Sequence, residues 1–406
     1  MRVLVCADIH MGRRPELAES GHAVWDAIIQ KALALNVDVV ALVGDVVEQE
    51  RAWLSVYGPL LDGLTRLKEA GIAVIGVGGN HDWSVFPRLA AESDAIKILG
   101  LNGTWEAYDV QGVRFIGWSF PSRYVKTSPF ATFKETLSDT PHLTLGLLHA
   151  DFGQSFSAYA PIDEALLQKT GVPLWMLGHI HKAGRVGATI PAYYCGSPYA
   201  LDAKETGVHG VYLLESENAH AWKEPVFIPL CPYRYERYTI DVTNLQDVES
   251  IRTAVTKAAR AFADSLDFSG TLALTPVFTG SLRPSLDLLQ VFSTDSATRE
   301  VLFQDGEGRE VLLLNRQEDA TELEVDLVQL AKGSGPEALL ARMLTDKEAL
   351  QQMGKQYQNL DEESYNISGF KLLQKEPINQ KEAITRARYS AMQLLKAMIA
   401  QRRDDA

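Results

Sequence analysis

At 406 residues the chain is well above a typical domain of ~150 residues, so it can bury a sizeable core without disulfide staples. Its 46% apolar and 22% charged content, with 30 Gly and 17 Pro, excludes a disordered, collagen-like or fibrous protein. A net charge of −13 argues against a surface that binds nucleic acid by bulk positive charge, while leaving room for a local basic groove.

The first apolar run, Val3–Ala7, stops at Asp8, and no stretch approaches the ~18 uninterrupted apolar residues of a membrane span. Neither a signal peptide nor a membrane helix is expected. From there to about Gly210, aliphatic runs alternate with amphipathic stretches: Val3–Ala7 then His22–Leu35, Val37–Val43 then Leu54–Ala70, Ile72–Val77 then Phe86–Ala91. This βαβα order predicts a buried sheet flanked by helices. Further strands at Val113–Phe120, Leu143–Leu148 and Leu174–Leu177, without long helices between all of them, make the sheet mixed and doubled. Beyond residue 225 the pattern changes. Tyr238–Val242 reads as a strand, Thr243-x-x-Gln246 as a capping box opening a helix to Asp264, and Thr271–Thr279 as another strand. A breaker cluster, Lys332-Gly-Ser-Gly-Pro336, precedes two helical stretches, Glu337–Lys355 and Gln380–Arg403. Three segments follow: a core at 1–225, an α+β cap at 226–332 and a helical C-terminal segment at 333–406.

The three cysteines, Cys6, Cys195 and Cys231, contain no C-x-x-C pair. That excludes a disulfide framework or a thiolate zinc site and fits a reducing cytoplasm. Any metal must therefore be held by His, Asp, Glu or Asn. Five segments place such residues directly after an apolar strand: Asp8-Ile-His10, Gly44-Asp45, Gly79-Asn80-His81-Asp82, His149 and Gly178-His179-Ile180-His181. Strand ends are where loops converge in α/β sheets, and residues two apart on an extended segment face one way, so Asp8 with His10, and His179 with His181, can address one ion. Mixed Asp/His/Asn sets suit manganese, iron or zinc, and two ions need a bridging carboxylate. Gly44 and Gly79 allow the tight turns beside it.

In this order the five segments resemble the calcineurin-like metallophosphoesterases. The resemblance implies a four-layer αββα sandwich of the α/β class, with a small α+β cap domain and a helical tail behind it. Within that superfamily, Gly79-Asn-His-Asp-Trp-Ser-Val-Phe-Pro-Arg88-Leu89, Tyr194-Cys-Gly-Ser-Pro198 and the cap are similar to the SbcD-like DNA-repair and meiotic recombination nucleases. Carried over residue by residue, the resemblance implies one ion on Asp8, His10, Asp45 and His181 and another on Asp45, Asn80, His149 and His179, with Asp45 the bridge. His81 would act on the scissile phosphate and Asp82 would orient its imidazole. Where several relatives carry His or Asp three residues after the bridge, this chain has Glu48, which receives no role.

The activity so implied is a manganese-dependent DNA exonuclease, also a single-strand endonuclease, working in double-strand break repair with an SbcC-like SMC-type ATPase and as a homodimer. Rivals are a small-molecule phosphodiesterase or phosphatase using the same ions, and a catalytically inactive scaffold. Arg13, Arg14, Arg88, Arg123, Lys126, Lys182 and Arg185 lie near the motif loops and are candidates for a DNA backbone. Phe152, Phe156, Tyr159, Tyr193 and Tyr199 could stack on bases, although packing is the commoner use of such residues. Apolar residues of Trp53–Leu67 and Trp83–Ala91 are candidates for a dimer surface. Ile384, Ala387, Ala391, Leu395 and Met398 form a helical stripe that either packs internally or receives the ATPase.

Overall fold

The computed structural model describes residues 1–17, 22–49, 53–140, 142–218, 221–283, 286, 288–291, 299–304, 309–314, 316–366 and 379–404. The chain divides into two compact units, Met1–Tyr235 and Glu236–Ala406.

The first unit begins β1 (Arg2–Cys6), α1 (His22–Ala34), β2 (Val39–Val43), α2 (Trp53–Glu69), β3 (Ala73–Val77), α3 (Phe86–Glu92) and β4 (Lys97–Ile98). It continues with β5 (Trp105–Val110), β6 (Val113–Trp118), β7 (Leu143–His149), the short β8 (Asp151–Phe152) and β9 (Pro161–Ile162), α4 (Glu164–Lys169), β10 (Trp175–Gly178), β11 (Gly184–Arg185) and β12 (Ala192–Tyr194). Then β13 (Gly210–Asn218), β14 (Ala221–Trp222) and β15 (Val226–Pro229) rejoin the first sheet. One sheet has the order β14-β13-β1-β2-β3-β4 with β15 also on β13, and the other β11-β12-β10-β7-β6-β5. Strands β1 to β4 run parallel in the first, and β6, β7, β10 and β12 in the second.

Strand periodicity explains the layering. Val3, Val5, Val39, Ala41, Val43, Ile75 and Val77 face Phe115, Leu145, Leu147 and Met176 in one core between the sheets. Their alternates in the first sheet, such as Leu4, Val40 and Leu42, are also fully buried, because that outer face is covered by helices. Gly76 shows the closeness: a Cβ there would meet the Phe86 ring of α3 at 3.3 Å. On the second sheet's far side Ile116, Trp118, Leu148, Trp175 and Leu177 form a further cluster with Leu167 of α4. This is the expected αββα sandwich.

In the second unit, β16 (Tyr233–Asp241), which crosses the boundary, α5 (Val248–Asp264), β17 (Thr271–Thr279), β18 (Ser281–Leu282), β19 (Arg299–Gln304), β20 (Glu310–Leu314), β21 (Glu318–Asp319) and β22 (Glu322–Leu323) make up the α+β part. Its main sheet has the order β16-β17-β20-β19, and the α5 stripe Ile251, Val255, Ala259 and Ala263 shares its core. The helix starts later than Thr243-x-x-Gln246 predicts. Asp247 is its cap, accepting from Ser250 N at 2.7 Å, while Ser250 Oγ accepts from Asp247 N at 3.2 Å.

Helices α6 (Leu327–Leu330), α7 (Pro336–Thr345), α8 (Lys347–Asn366) and α9 (Gln380–Asp404) follow. The helix expected over Glu337–Lys355 is broken at Asp346, whose backbone is extended at φ −89° and ψ 120°. The helical C-terminal segment expected at 333–406 shares a unit with the cap, and its apolar stripe has internal partners. Ala391 and Leu395 are buried with Leu344, against Leu327, Leu330, Leu340, Leu350 and Met353. Lys396 pairs with Asp319 and donates to Thr321 Oγ1 at 2.8 Å. The stripe is therefore a core face of this unit, and is not a free surface for a partner.

Much of the expected dimer surface is packed inside the first unit, while Leu61 is half-buried. Val56, Leu60, Leu64, Val85, Phe86 and Leu89 are each no more than 1% exposed. Leu54 at 92% and Trp83 at 37% are exposed there, and the Trp53 side chain lies outside the described residues. Cys6, Cys195 and Cys231 are free and buried. Among the described residues no helix is long and apolar enough to cross a membrane.

Candidate metal centre

The two sheets bring all five motif segments to one place. Asp8 and His10 follow β1, Asp45 follows β2, Asn80 to Asp82 follow β3, His149 ends β7, and His179 and His181 follow β10. Backbone bonds stitch neighbouring loops together, with Asp8 N donating to Gly44 O at 3.1 Å and His10 N to Asp45 O at 3.0 Å. Across the sheets, His179 N donates to the Asp8 carboxylate at 3.1 Å.

This convergence bends the chain into an unusual shape. Asp8, His10 and Asp45 have φ of 52°, 51° and 51°, and His179 has 101°, making four of the nine non-glycine residues with positive φ among the described residues. Side chains resist that region, so the cluster marks a place where geometry is held by its surroundings. Glycines supply the remaining room. A Cβ on Gly79 would lie 2.1 Å from Asp45 Oδ1, and one on Gly44, itself at φ 83°, would lie 2.5 Å from His149 Nδ1.

The side chains form compact, overlapping groups. Asp8, His10 and His181 can present one donor atom each within 4.8 Å of one another, and so can Asp8, Asp45 and His149. Within the first, His10 Nε2 and His181 Nε2 face each other at 3.2 Å. Acids lie at their outer nitrogens: His181 Nδ1 is hydrogen-bonded to Glu205 Oε1 at 2.6 Å, and His10 Nδ1 is 2.7 Å from Glu48 Oε2 without hydrogen-bond geometry. A carboxylate accepts and cannot donate, so it favours the proton on Nδ1 and turns both Nε2 lone pairs inward. Two facing lone pairs repel, a conflict that a cation held by both residues would remove.

The second group behaves alike. His149 Nδ1 donates to Val43 O at 3.0 Å, which leaves Nε2 beside Asn80 Oδ1 at 3.1 Å and Asp45 Oδ2 at 3.3 Å. Burial opposes charge on this imidazole, yet the Asp45 carboxylate pushes its pKa up to about 9. Asp45, despite burial, is held well below the usual carboxylate range by His149. A buried site drawing positive charge this strongly, from acids, imidazoles and an amide oxygen, fits divalent cations. His179 stands apart. It falls outside these groups, and its ring packs on His149 at 5.4 Å and on Tyr159 at 4.8 Å between centroids.

His81 and Asp82 do not work on each other as expected. The His81 partner is the Glu48 carbonyl, 2.7 Å from Nδ1; a carbonyl cannot donate, so Nδ1 carries the hydrogen and Nε2 is left for other chemistry. Asp82 is fully buried and instead clamps two loops, accepting from Gly79 N and Val46 N at 2.7 Å each. Burial, and the Asp45 charge next, push its pKa up to about 7. The bond from His81 N to Asp45 Oδ1 at 2.8 Å ties the His81 loop to the acid at the centre.

Two participants had no role at the level of sequence. Glu48 both contacts His10 and positions His81; its spacing from Asp45 drew notice without revealing its partners. Glu205 lies on no strand end and gave no signal, because only the fold brings it to His181. Tyr193 and Tyr199 are 4% and 6% exposed and serve packing. Arg13 lies 3.5 Å from Asp202, and Arg185 sits over the Tyr193 ring at 6.0 Å.

Residues 1–183 match the family profile of the calcineurin-like phosphoesterases. They form a calcineurin-like phosphoesterase domain. The domain is that of a metal-dependent phosphoesterase, and its donor set supports two divalent ions. When bound, such ions neutralise phosphate charge and activate water for in-line attack. The chain is 28% identical over 248 residues to the uncharacterized metallophosphoesterase YhaO of Bacillus subtilis, covering 58% of this chain and 59% of that protein. It is 20% identical over 285 residues to the DNA double-strand break repair protein Mre11 of Nanoarchaeum equitans, covering 61% of this chain and 74% of that protein. A dimetal phosphatase structure from Danio rerio covers 57% of this chain and is itself 99% covered, at 14% identity and a TM-score of 0.38.

Proposed function

We propose that this phosphoesterase domain hydrolyses phosphodiester bonds in DNA, as a manganese-dependent exonuclease with single-strand endonuclease activity, in double-strand break repair. The observation that carries this reading is the pairing of the buried Asp/His/Asn donor groups with a sequence similar to two archaeal Mre11 proteins described by that repair role. The imidazole donors His10, His149 and His181 favour manganese over magnesium, which prefers oxygen ligands. Asp45 would bridge the ions, and His81 Nε2 would deliver a proton or hydrogen bond to the departing oxygen. An SMC-type ATPase partner and a homodimer belong to the same proposal.

The test is hydrolysis of end-labelled duplex and single-stranded DNA beside a chromogenic phosphodiester and a phosphomonoester, after chelation and return of Mn²⁺ or Mg²⁺. DNA cleavage restored by Mn²⁺ and poorly by Mg²⁺ is expected. Turnover of small esters alone would replace the nuclease reading with a small-molecule phosphodiesterase or phosphatase, and no turnover of any ester would leave an inactive scaffold. Co-purification with the ATPase and light scattering at micromolar concentration test the two assemblies.

A further inference from the structure

A row of rings leads away from the metal centre. The Tyr159 ring packs on His179 with centroids 4.8 Å apart, Tyr124 packs on Tyr159 at 5.8 Å, and the Arg123 guanidinium lies over the Tyr124 ring at 5.5 Å. Tyr124 is 54% exposed and Arg123 is exposed as well. Tyr159 is half-buried against the second sheet's outer cluster, whereas apolar burial does not account for the Tyr124 ring, and among the described residues neither tyrosine hydroxyl has a hydrogen-bond partner. Arg123 makes no ion pair among the described residues, so the Tyr124 ring is its only contact of note.

The row is also built stiffly. Tyr124 and Tyr159 sit on different loops, one after β6 and one between β8 and β9, yet Val125 N donates to Ala158 O at 2.8 Å and Ala160 N to Val125 O at 2.7 Å. Asp151 N donates to Tyr159 O at 2.9 Å, and Ser122 Oγ donates to Tyr124 O at 3.0 Å. Ala160 holds φ at 49°, a conformation that an alanine keeps only when its neighbours impose it. Both rings are thus positioned in advance, which lowers the ordering cost of stacking a ligand on them.

We propose that Tyr124, Tyr159 and Arg123 form a stacking subsite for a nucleobase carried by the phosphodiester substrate, with Arg123 turning from the ring to an adjacent phosphate. Flat aromatic faces take any base, and a guanidinium without a carboxylate partner suits both a ring and a phosphate oxygen. The subsite begins one ring away from a candidate metal ligand, so it selects the group next to the scissile bond. The proposal rests on the reading that the centre hydrolyses phosphodiesters.

Its test compares thymidine 5′-(4-nitrophenyl phosphate) with methyl 4-nitrophenyl phosphate, which share a leaving group and differ in the base. With Mn²⁺ supplied, the full chain should show a KM about tenfold lower for the thymidine ester. Tyr124→Ala should close that gap to within about threefold, and Tyr124→Phe should keep it. A second readout avoids turnover altogether: in chelator, anisotropy of a labelled oligothymidylate and its abasic counterpart should show the same preference in wild type and Tyr124→Phe, and lose it in Tyr124→Ala. Equal KM values with equal binding, or no binding of either oligomer, would overturn the subsite while leaving phosphodiester hydrolysis intact. If neither ester is hydrolysed but the binding preference and its loss are seen, the subsite stands and the hydrolytic reading falls.

Discussion

At the scale of single residues, the proposed roles separate groups that would hold the ions from one that would move a proton. His81 reaches the donor groups through its backbone bond to Asp45 and keeps Nε2 uncommitted, so His81→Ala should retain two ions per chain while turnover falls about 10²–10⁴-fold. Asp45→Ala should lose metal as well. Metal content by mass spectrometry beside rate measurements distinguishes the two; an emptied site in His81→Ala would overturn the division. His149 makes a second prediction. Its folded, metal-free pKa of about 9 means that near neutral pH an ion must displace a proton from it, so metal affinity should fall about tenfold for each pH unit below 9 on this account alone. Calorimetric titration in buffers of different ionisation enthalpy should find about one proton released per site near pH 7; a pH-independent affinity would refute the assignment. The five strand-end segments were legible in the sequence because strand, turn and ligand are contiguous there. Glu205 was not, since His181 meets it only through the fold, and neither was the loop-clamping use of Asp82.

At the scale of elements, the continuous aliphatic strands β1, β2, β3, β7 and β10 were readable, being buried on both faces. β5, with only partly buried or exposed residues along its whole length, does not stand out from loop sequence, and β13 loses burial in its second half. The α9 stripe was equally visible, but periodicity alone does not say what covers an apolar face. Here α7 and α8 cover it, and Gly354 sets how close α8 can come: a Cβ there would lie 2.4 Å from Ile384 Cγ1 and 3.1 Å from Ile384 Cα. Gly354→Ala improves helix propensity by up to ~1 kcal/mol, yet forcing the helices apart costs about 1–3 kcal/mol. A net loss of stability is expected in denaturant titration followed by helical circular dichroism. A gain would mean that the helices separate freely.

For the whole molecule, cations and folding are linked, because the donors are drawn from five strand ends spread over 1–183 and are gathered only in the folded chain. With free metal at about a hundred times its dissociation constant, binding adds about 2.7 kcal/mol to the stability of the domain that holds it. Chelation should therefore lower the melting temperature of the full chain's first unit by about 5–10 °C in calorimetry, reversibly on adding Mn²⁺. An unchanged melting curve would mean that the donors bind no ion.

The left-handed backbone at Asp8, His10, Asp45 and His179 sets the fold against its own chemistry. Each such residue costs on the order of 1 kcal/mol, which glycine would not incur. Mutation without selection for hydrolysis should therefore drift toward glycine at these positions, giving descendants that are sturdier and inert. Metal-free Asp8→Gly melting above the metal-free parent would reveal that slope, and melting below it would show that the carboxylate's contact with His179 N outweighs the backbone tension.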